Sequence, residues 1–183
     1  MFSALLPDEW LCQATFAEVD AKPAAPSKSL LDEAWVEIVA DLRRGGVGLR
    51  RLAVGGRGSG ARVACRTAAR TKPDCVFCTA FPLDPSRQGN KDRGEEIAAA
   101  AAVVPVTIIQ GTADRFGGPP EVAASVAQHG QRVLTVGIPF LDHTFNLAEK
   151  ATITDSEARL ILVEAARRAV LRGAGNTGPL LAR

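Results

Sequence analysis

Short apolar runs alternate along this chain with segments of helical pattern, and that alternation leaves few folds open. The strand-like runs are residues 10–19, 49–54, 75–81, 103–110 and 132–138. Between them lie helix-like segments at 30–44, 61–70, 95–102 and 121–129, and a last helix runs from the mid-150s to about 171. Strands joined through helices pair in parallel, with crossovers of one hand. The runs at 75–81 and 103–110 are mostly apolar rather than alternating, the pattern of strands covered on both faces. The expected fold is α/β, a three-layer sandwich around a mostly parallel sheet of about five strands. At 183 residues the chain is long enough to bury a core without a disulfide or metal staple. It contains no repeat, low-complexity block or linker. A single domain over 1–183 is expected, with 1–27 and 173–183 outside its clearest pattern.

Two helix starts carry their own signals. Ser29 and Asp32 have capping-box spacing ahead of an apolar stripe of Leu31, Trp35, Val39 and Leu42, and Gly45-Gly46 ends that helix. Thr154 and Glu157 repeat the box before the last helix.

Charge and composition exclude several classes of function. The net charge is +2, and the basic residues gather no more tightly than in pairs, so no nucleic-acid footprint is present. No apolar run approaches the roughly 20 residues of a membrane helix, and the first ten residues lack a basic leader, so neither a membrane nor a secretory role is expected. Cys12, Cys65, Cys75 and Cys78 are too scattered for a disulfide framework. The Cys75-to-Cys78 spacing falls in a strand-like run with no second pair and no histidine near it. Reduced, buried thiols in a cytoplasmic protein are expected, with no metal and no cofactor. The excess of arginine over lysine, with abundant alanine, reads as a GC-rich bacterial coding bias.

In an open parallel sheet, ligands bind beyond the carboxyl ends of the strands. Three such ends stand out here. Residues 54–62 form a glycine-dense strand-to-helix turn containing Gly56, Gly58, Ser59 and Gly60. Residues 111–117 present Asp114, and residues 142–145 present His143. A phosphate cradle is disfavoured, because the third glycine of a G-x-G-x-x-G count from Gly56 falls on Ala61 and no P-loop lysine follows. His129 reads as a helix-end residue. The remaining order of elbow, acid and histidine is that of a serine-hydrolase triad on an α/β sheet.

The chain resembles small bacterial α/β-hydrolases of the dienelactone-hydrolase-like kind. The likeness is carried by Gly55-Gly56-Arg57-Gly58-Ser59-Gly60-Ala61-Arg62, by Ile109-Gln110-Gly111-Thr112-Ala113-Asp114, and by Asp142-His143-Thr144-Phe145. It covers roughly residues 28–172. The resemblance implies Asp114 as the triad acid and His143 as the base. It also implies acyl-transfer chemistry on a small ester, lactone or similar carbonyl.

At the elbow the sequence departs from the pattern. Gly56 and Gly60 flank position 58 by two residues on each side, so position 58 is the nucleophile position by register, and it is glycine. Either the elbow slips and Ser59 serves as nucleophile, or the nucleophile position is empty and catalysis is weakened or lost. A third reading is that Gly58 replaces an original serine. The oxyanion would be held by the backbone N–H of Ser59 or Gly60. No His-Gly oxyanion motif occurs near the N-terminus, so the likeness implies an N-terminally reduced relative or a hole built differently. A reduced sheet also predicts either lower stability than a full-length relative or self-association through an exposed edge. The competing reading is a catalytically inactive hydrolase-fold protein that binds a small molecule or a protein partner.

Overall fold

The computed structural model describes residues 27–45, 51–84 and 93–172. Four strands, β1 (Ala53–Arg57), β2 (Cys75–Thr79), β3 (Val106–Gly111) and β4 (Leu134–Ile138), form one sheet in the order β1-β2-β3-β4. Every neighbouring pair is parallel. The helices are α1 (Lys28–Arg44), α2 (Ser59–Thr71), α3 (Gly94–Ala101), α4 (Pro119–Gln128) and α5 (Asp155–Arg172). The expected strand at 10–19 lies outside the described residues, as do most of the loop at 82–93 and the tail beyond 172.

Alternation along each strand divides the core in two. Val54, Val76, Cys78, Val106 and Ile108 pack with Ala64 and Ala68 of α2, Ile97 of α3, and Val122 and Val126 of α4. On the other face, Phe77, Ile109, Val136 and Ile138 meet Ala158, Ala165 and Ala166 of α5. The result is the expected three-layer α/β sandwich, with α1 laid outside α2. Partly buried carboxylate–guanidinium pairs join the outer helices: Arg66 to Asp32 at 2.8 Å and Arg62 to Glu96 at 2.9 Å. Among the described residues no helix is long and apolar enough to cross a membrane.

Several boundaries differ from the sequence expectation. The strand expected at 49–54 runs instead from Ala53 through both glycines to Arg57, and α2 opens at Ser59 rather than at 61. Gly55 and Gly56 read as a turn in sequence but serve close packing. A Cβ at Gly55 would lie 2.0 Å from the Phe77 carbonyl oxygen. The first helix is capped by Ser27, whose Oγ accepts the Leu30 N–H at 3.2 Å, and not by Ser29. Asp32, the expected partner of Ser29, is instead drawn to Arg66. Val103 is exposed, and β3 starts only after Pro105. The fourth helix begins at Pro119, earlier than expected, because proline suits the first helical turn. The second capping box forms as read: Glu157 N–H donates to Thr154 Oγ1 at 3.2 Å, and Thr154 N–H donates to Glu157 Oε2 at 2.7 Å.

Candidate active site

The turn between β1 and α2 is set by three glycines with different tasks. Gly58 has φ +56° and ψ −115°, a conformation that costs an L side chain about 1–3 kcal/mol. Its N–H donates to the Thr79 carbonyl at 3.2 Å, and its carbonyl accepts from Arg62 N–H at 3.3 Å. Gly56 lets α2 approach β1. Gly60, on α2, is the backbone that it meets. A Cβ placed on Gly58 would find no atom within 4 Å, so position 58 stands at the crest of the turn facing open space. Ser59 is the exposed first residue of α2. The N–H groups of Ser59 and Gly60 belong to its first turn, where helix geometry offers no intrahelical acceptor.

Beyond β3, Asp114 is buried, with a side chain that is 0% exposed. Its Oδ1 accepts the Phe116 N–H at 2.8 Å. Its Oδ2 accepts from His143 Nδ1 at 2.9 Å and from Gln110 Nε2 at 2.9 Å. An ionised carboxylate only accepts, so the proton of neutral His143 sits on Nδ1 and Nε2 is left as the basic nitrogen. The Phe116 ring stands edge-on to the imidazole, centroids 4.5 Å apart. The histidine is thus fixed by a hydrogen bond on one side and a ring contact on the other, with its side chain 20% exposed.

The segment after β4 is brought to the acid by a close crossing. Ala113 N–H donates to the Leu141 carbonyl at 3.0 Å, and a Cβ on Gly111 would lie 2.0 Å from that same oxygen. Asp142 shapes the histidine loop. Its Oδ1 accepts from Thr144 N–H at 2.7 Å, Thr144 Oγ1 at 2.8 Å and Asn146 N–H at 2.9 Å. Desolvation would raise the Asp142 carboxyl, but these bonds and the neighbouring His143 outweigh it and hold it below its ordinary value.

Arg57 joins the elbow to the histidine loop. Its guanidinium donates to the His143 carbonyl at 3.1 Å and lies 4.6 Å from the centroid of the Phe145 ring. The ends of β1, β3 and β4 therefore converge, although β1 and β4 are three strands apart in the order. Arg57 and Gln110 were read in the sequence only as members of the elbow and acid segments, with no role of their own. A glutamine in an apolar, fully buried run was the available signal for Gln110. Nothing in the sequence announced the Arg57 contact, which spans 86 positions.

Among the described residues no group of three or more His, Cys, Asp or Glu side chains is placed to hold a metal ion. Cys65, Cys75 and Cys78 are buried, with Cys65 and Cys78 Sγ 3.7 Å apart behind the elbow.

The sequence model of a family described as an alpha/beta hydrolase domain matches residues 12–170. No curated protein matches this sequence. An alpha-beta serine hydrolase homologue from Coxiella burnetii superposes with a TM-score of 0.55 at 19% identity, over 82% of this chain and 64% of that one. A thermophilic esterase from Thermogutta terrifontis, solved with butyrate bound, gives 0.55 at 18% identity, over 84% of this chain and 67% of that one. An a/b serine hydrolase without a lid from Xanthomonas campestris is 23% identical over 80% of this chain and 57% of that one, with a TM-score of 0.49. The chain thus spans between 57% and 67% of the length of these three proteins. At these identities the likeness is one of fold.

Proposed function

Because this chain belongs to the family of alpha/beta hydrolase domains, we propose that it carries a serine-hydrolase-type acyl-transfer site whose nucleophile position is occupied by glycine. In this reading residues 1–183 act as one domain, and the substrate is a small ester, lactone or similar carbonyl, as in dienelactone-hydrolase-like enzymes. The observation that carries the reading is the Arg57 bond to the His143 carbonyl, which brings the elbow beside an imidazole already paired with Asp114.

The chemistry follows from the geometry. Asp114 holds the imidazole with its proton on Nδ1 and stabilises the imidazolium once Nε2 has taken a proton. His143 Nε2 deprotonates the attacking group and returns the proton to the leaving group. The first-turn N–H groups of Ser59 and Gly60 receive the negative charge that develops on the carbonyl oxygen. Position 58 is where a serine hydroxyl would attack. Glycine supplies no such atom, so His143 is left to activate water, and turnover is residual. Sites that lose a triad member keep about 10³–10⁴ over the reaction in water. The positive φ at Gly58, with Ser59 already inside α2, supports an empty elbow over a shifted nucleophile.

Hydrolysis of p-nitrophenyl acetate tests this. Gly58→Ser is expected to raise kcat/KM by about 10²-fold or more, the scale of a restored catalytic group, while Ser59→Ala leaves the parent within about twofold. Parent activity near an ordinary enzyme's, about 10⁴ M⁻¹s⁻¹ or above, that disappears in Ser59→Ala would falsify the assignment. The open space at position 58 also favours a second reading, a binding protein for a small carbonyl or carboxylate ligand. That reading gains if Gly58→Ser adds no activity while acetate protects first-turn amides of α2 from hydrogen exchange.

A further inference from the structure

We propose that Gln110 is a positioning residue for the Asp114–His143 pair, an inference that rests on the reading of those two side chains as acid and base. Gln110 is the penultimate residue of β3 and is 0% exposed. A buried amide must find partners for one acceptor and two donor hydrogens. Its Oε1 accepts the Phe81 N–H at 2.9 Å. Its Nε2 faces three oxygens: the Gly117 carbonyl at 2.7 Å, Asp114 Oδ2 at 2.9 Å and the Phe81 carbonyl at 3.1 Å. The opposite amide orientation would set an oxygen against all three and a nitrogen against an N–H, so the orientation is fixed by its surroundings.

The contact with Asp114 separates this role from simple core filling. Oδ2 is the same oxygen that receives the His143 Nδ1 proton. With Oδ1 held by Phe116 N–H, the carboxylate is pinned at both oxygens before the histidine is counted. A pinned acceptor selects one tautomer and one ring orientation of the imidazole. Gln110 touches no reacting atom; it acts through Asp114. The same amide ties the acid to Phe81, whose chain has just left β2 beside the elbow, where Thr79 O accepts from Gly58 N–H. Acid, β2 loop and elbow are thereby held in one register.

The test reads the histidine tautomer directly. The chain has two histidines, and His129 is exposed and serves as an internal reference. Two-bond ¹H–¹⁵N correlation spectra of the whole chain, recorded at alkaline pH where imidazole is neutral, are expected to show His143 as a single Nδ1–H tautomer. In Gln110→Met, which has similar length but no donor, His143 is expected to lose that single state and become a mixture like His129. Gln110→Asn retains an amide but draws it back by about 1.5 Å, one carbon–carbon bond, and is expected to do the same. Asp114→Asn separates the proposal from the reading beneath it. If Asp114→Asn changes the His143 tautomer while both Gln110 variants preserve it, the positioning role is overturned and the pair stands. If Asp114→Asn changes nothing, the pair itself fails. If neither Gln110 variant folds, Gln110 is a structural residue and the proposal is equally overturned.

Discussion

A Cβ built on Gly56 would lie 2.5 Å from the carbonyl carbon of Gly60, so β1 and α2 meet backbone to backbone directly behind the elbow. The two glycines are not equivalent, since a Cβ on Gly60 meets nothing within 4 Å. Gly56→Ala must push the helix off the strand and is expected to cost about 1–3 kcal/mol, the range for overpacking. Gly60→Ala adds helix propensity and is expected to be neutral or stabilising by up to about 1 kcal/mol. Urea unfolding of both variants checks the contrast; equal effects would contradict it.

Arg57 is expected to brace the histidine loop. Removing its bond to the His143 carbonyl and its contact with Phe145 should loosen residues 142–147. A cation–π contact at an exposed site is worth about 0.5–1 kcal/mol and a hydrogen bond to a charged group about 1.5–3 kcal/mol, which together predict amide exchange in that loop about thirtyfold faster or more for Arg57→Ala. Exchange in β2 should be unchanged. Uniform acceleration across the sheet would show that Arg57 supports the whole fold instead.

Glu96 makes the stability pH-dependent. Desolvation raises its carboxyl, but the Arg62 hydrogen bond and the charges of Arg62, Arg66 and Lys28 outweigh it and leave it below its ordinary 4.5. A carboxyl depressed in the folded state contributes stability above the unfolded value, and that contribution is lost as pH falls through the folded value. The parent should therefore lose stability below pH 4.5 more steeply than Glu96→Gln. Urea midpoints from pH 7 to 3 decide it, and parallel curves would remove Glu96 as the cause.

Among the described residues β1 has a strand partner on one side only, through β2. A strand edge with no partner among the described residues is a template for pairing, and we propose a second copy of the chain as its occupant. Light scattering over a concentration series is expected to show association, with a concentration-independent monomer as the contrary result.

The sheet was legible because Val76, Cys78, Ile108 and Ile109 lie in apolar runs that only a covered parallel strand explains. The pairing of acid with histidine was legible from their places after successive strands. What escaped depends on contacts distant in sequence. Glycines 55 and 56 look like a turn until Phe77 and Gly60 are seen to occupy the space of their missing side chains. Ser29 has the spacing of a cap, but Asp32 is claimed by Arg66, 34 residues away. Gln110 was visible as a polar residue in a buried run, yet its meaning appears only when Asp114, Phe81 and Gly117 are found around it.

In the proposed site the machinery for an attacking hydroxyl is arranged around position 58, where glycine supplies none. Labelling with a fluorophosphonate, followed by peptide mass mapping, tests it most directly, because the reagent bonds only to an activated hydroxyl. No adduct is expected on the parent, an adduct is expected at position 58 in Gly58→Ser, and it should be lost when His143→Ala is added. An adduct at Ser59 of the parent, abolished by His143→Ala, would overturn the empty elbow and make Ser59 the nucleophile.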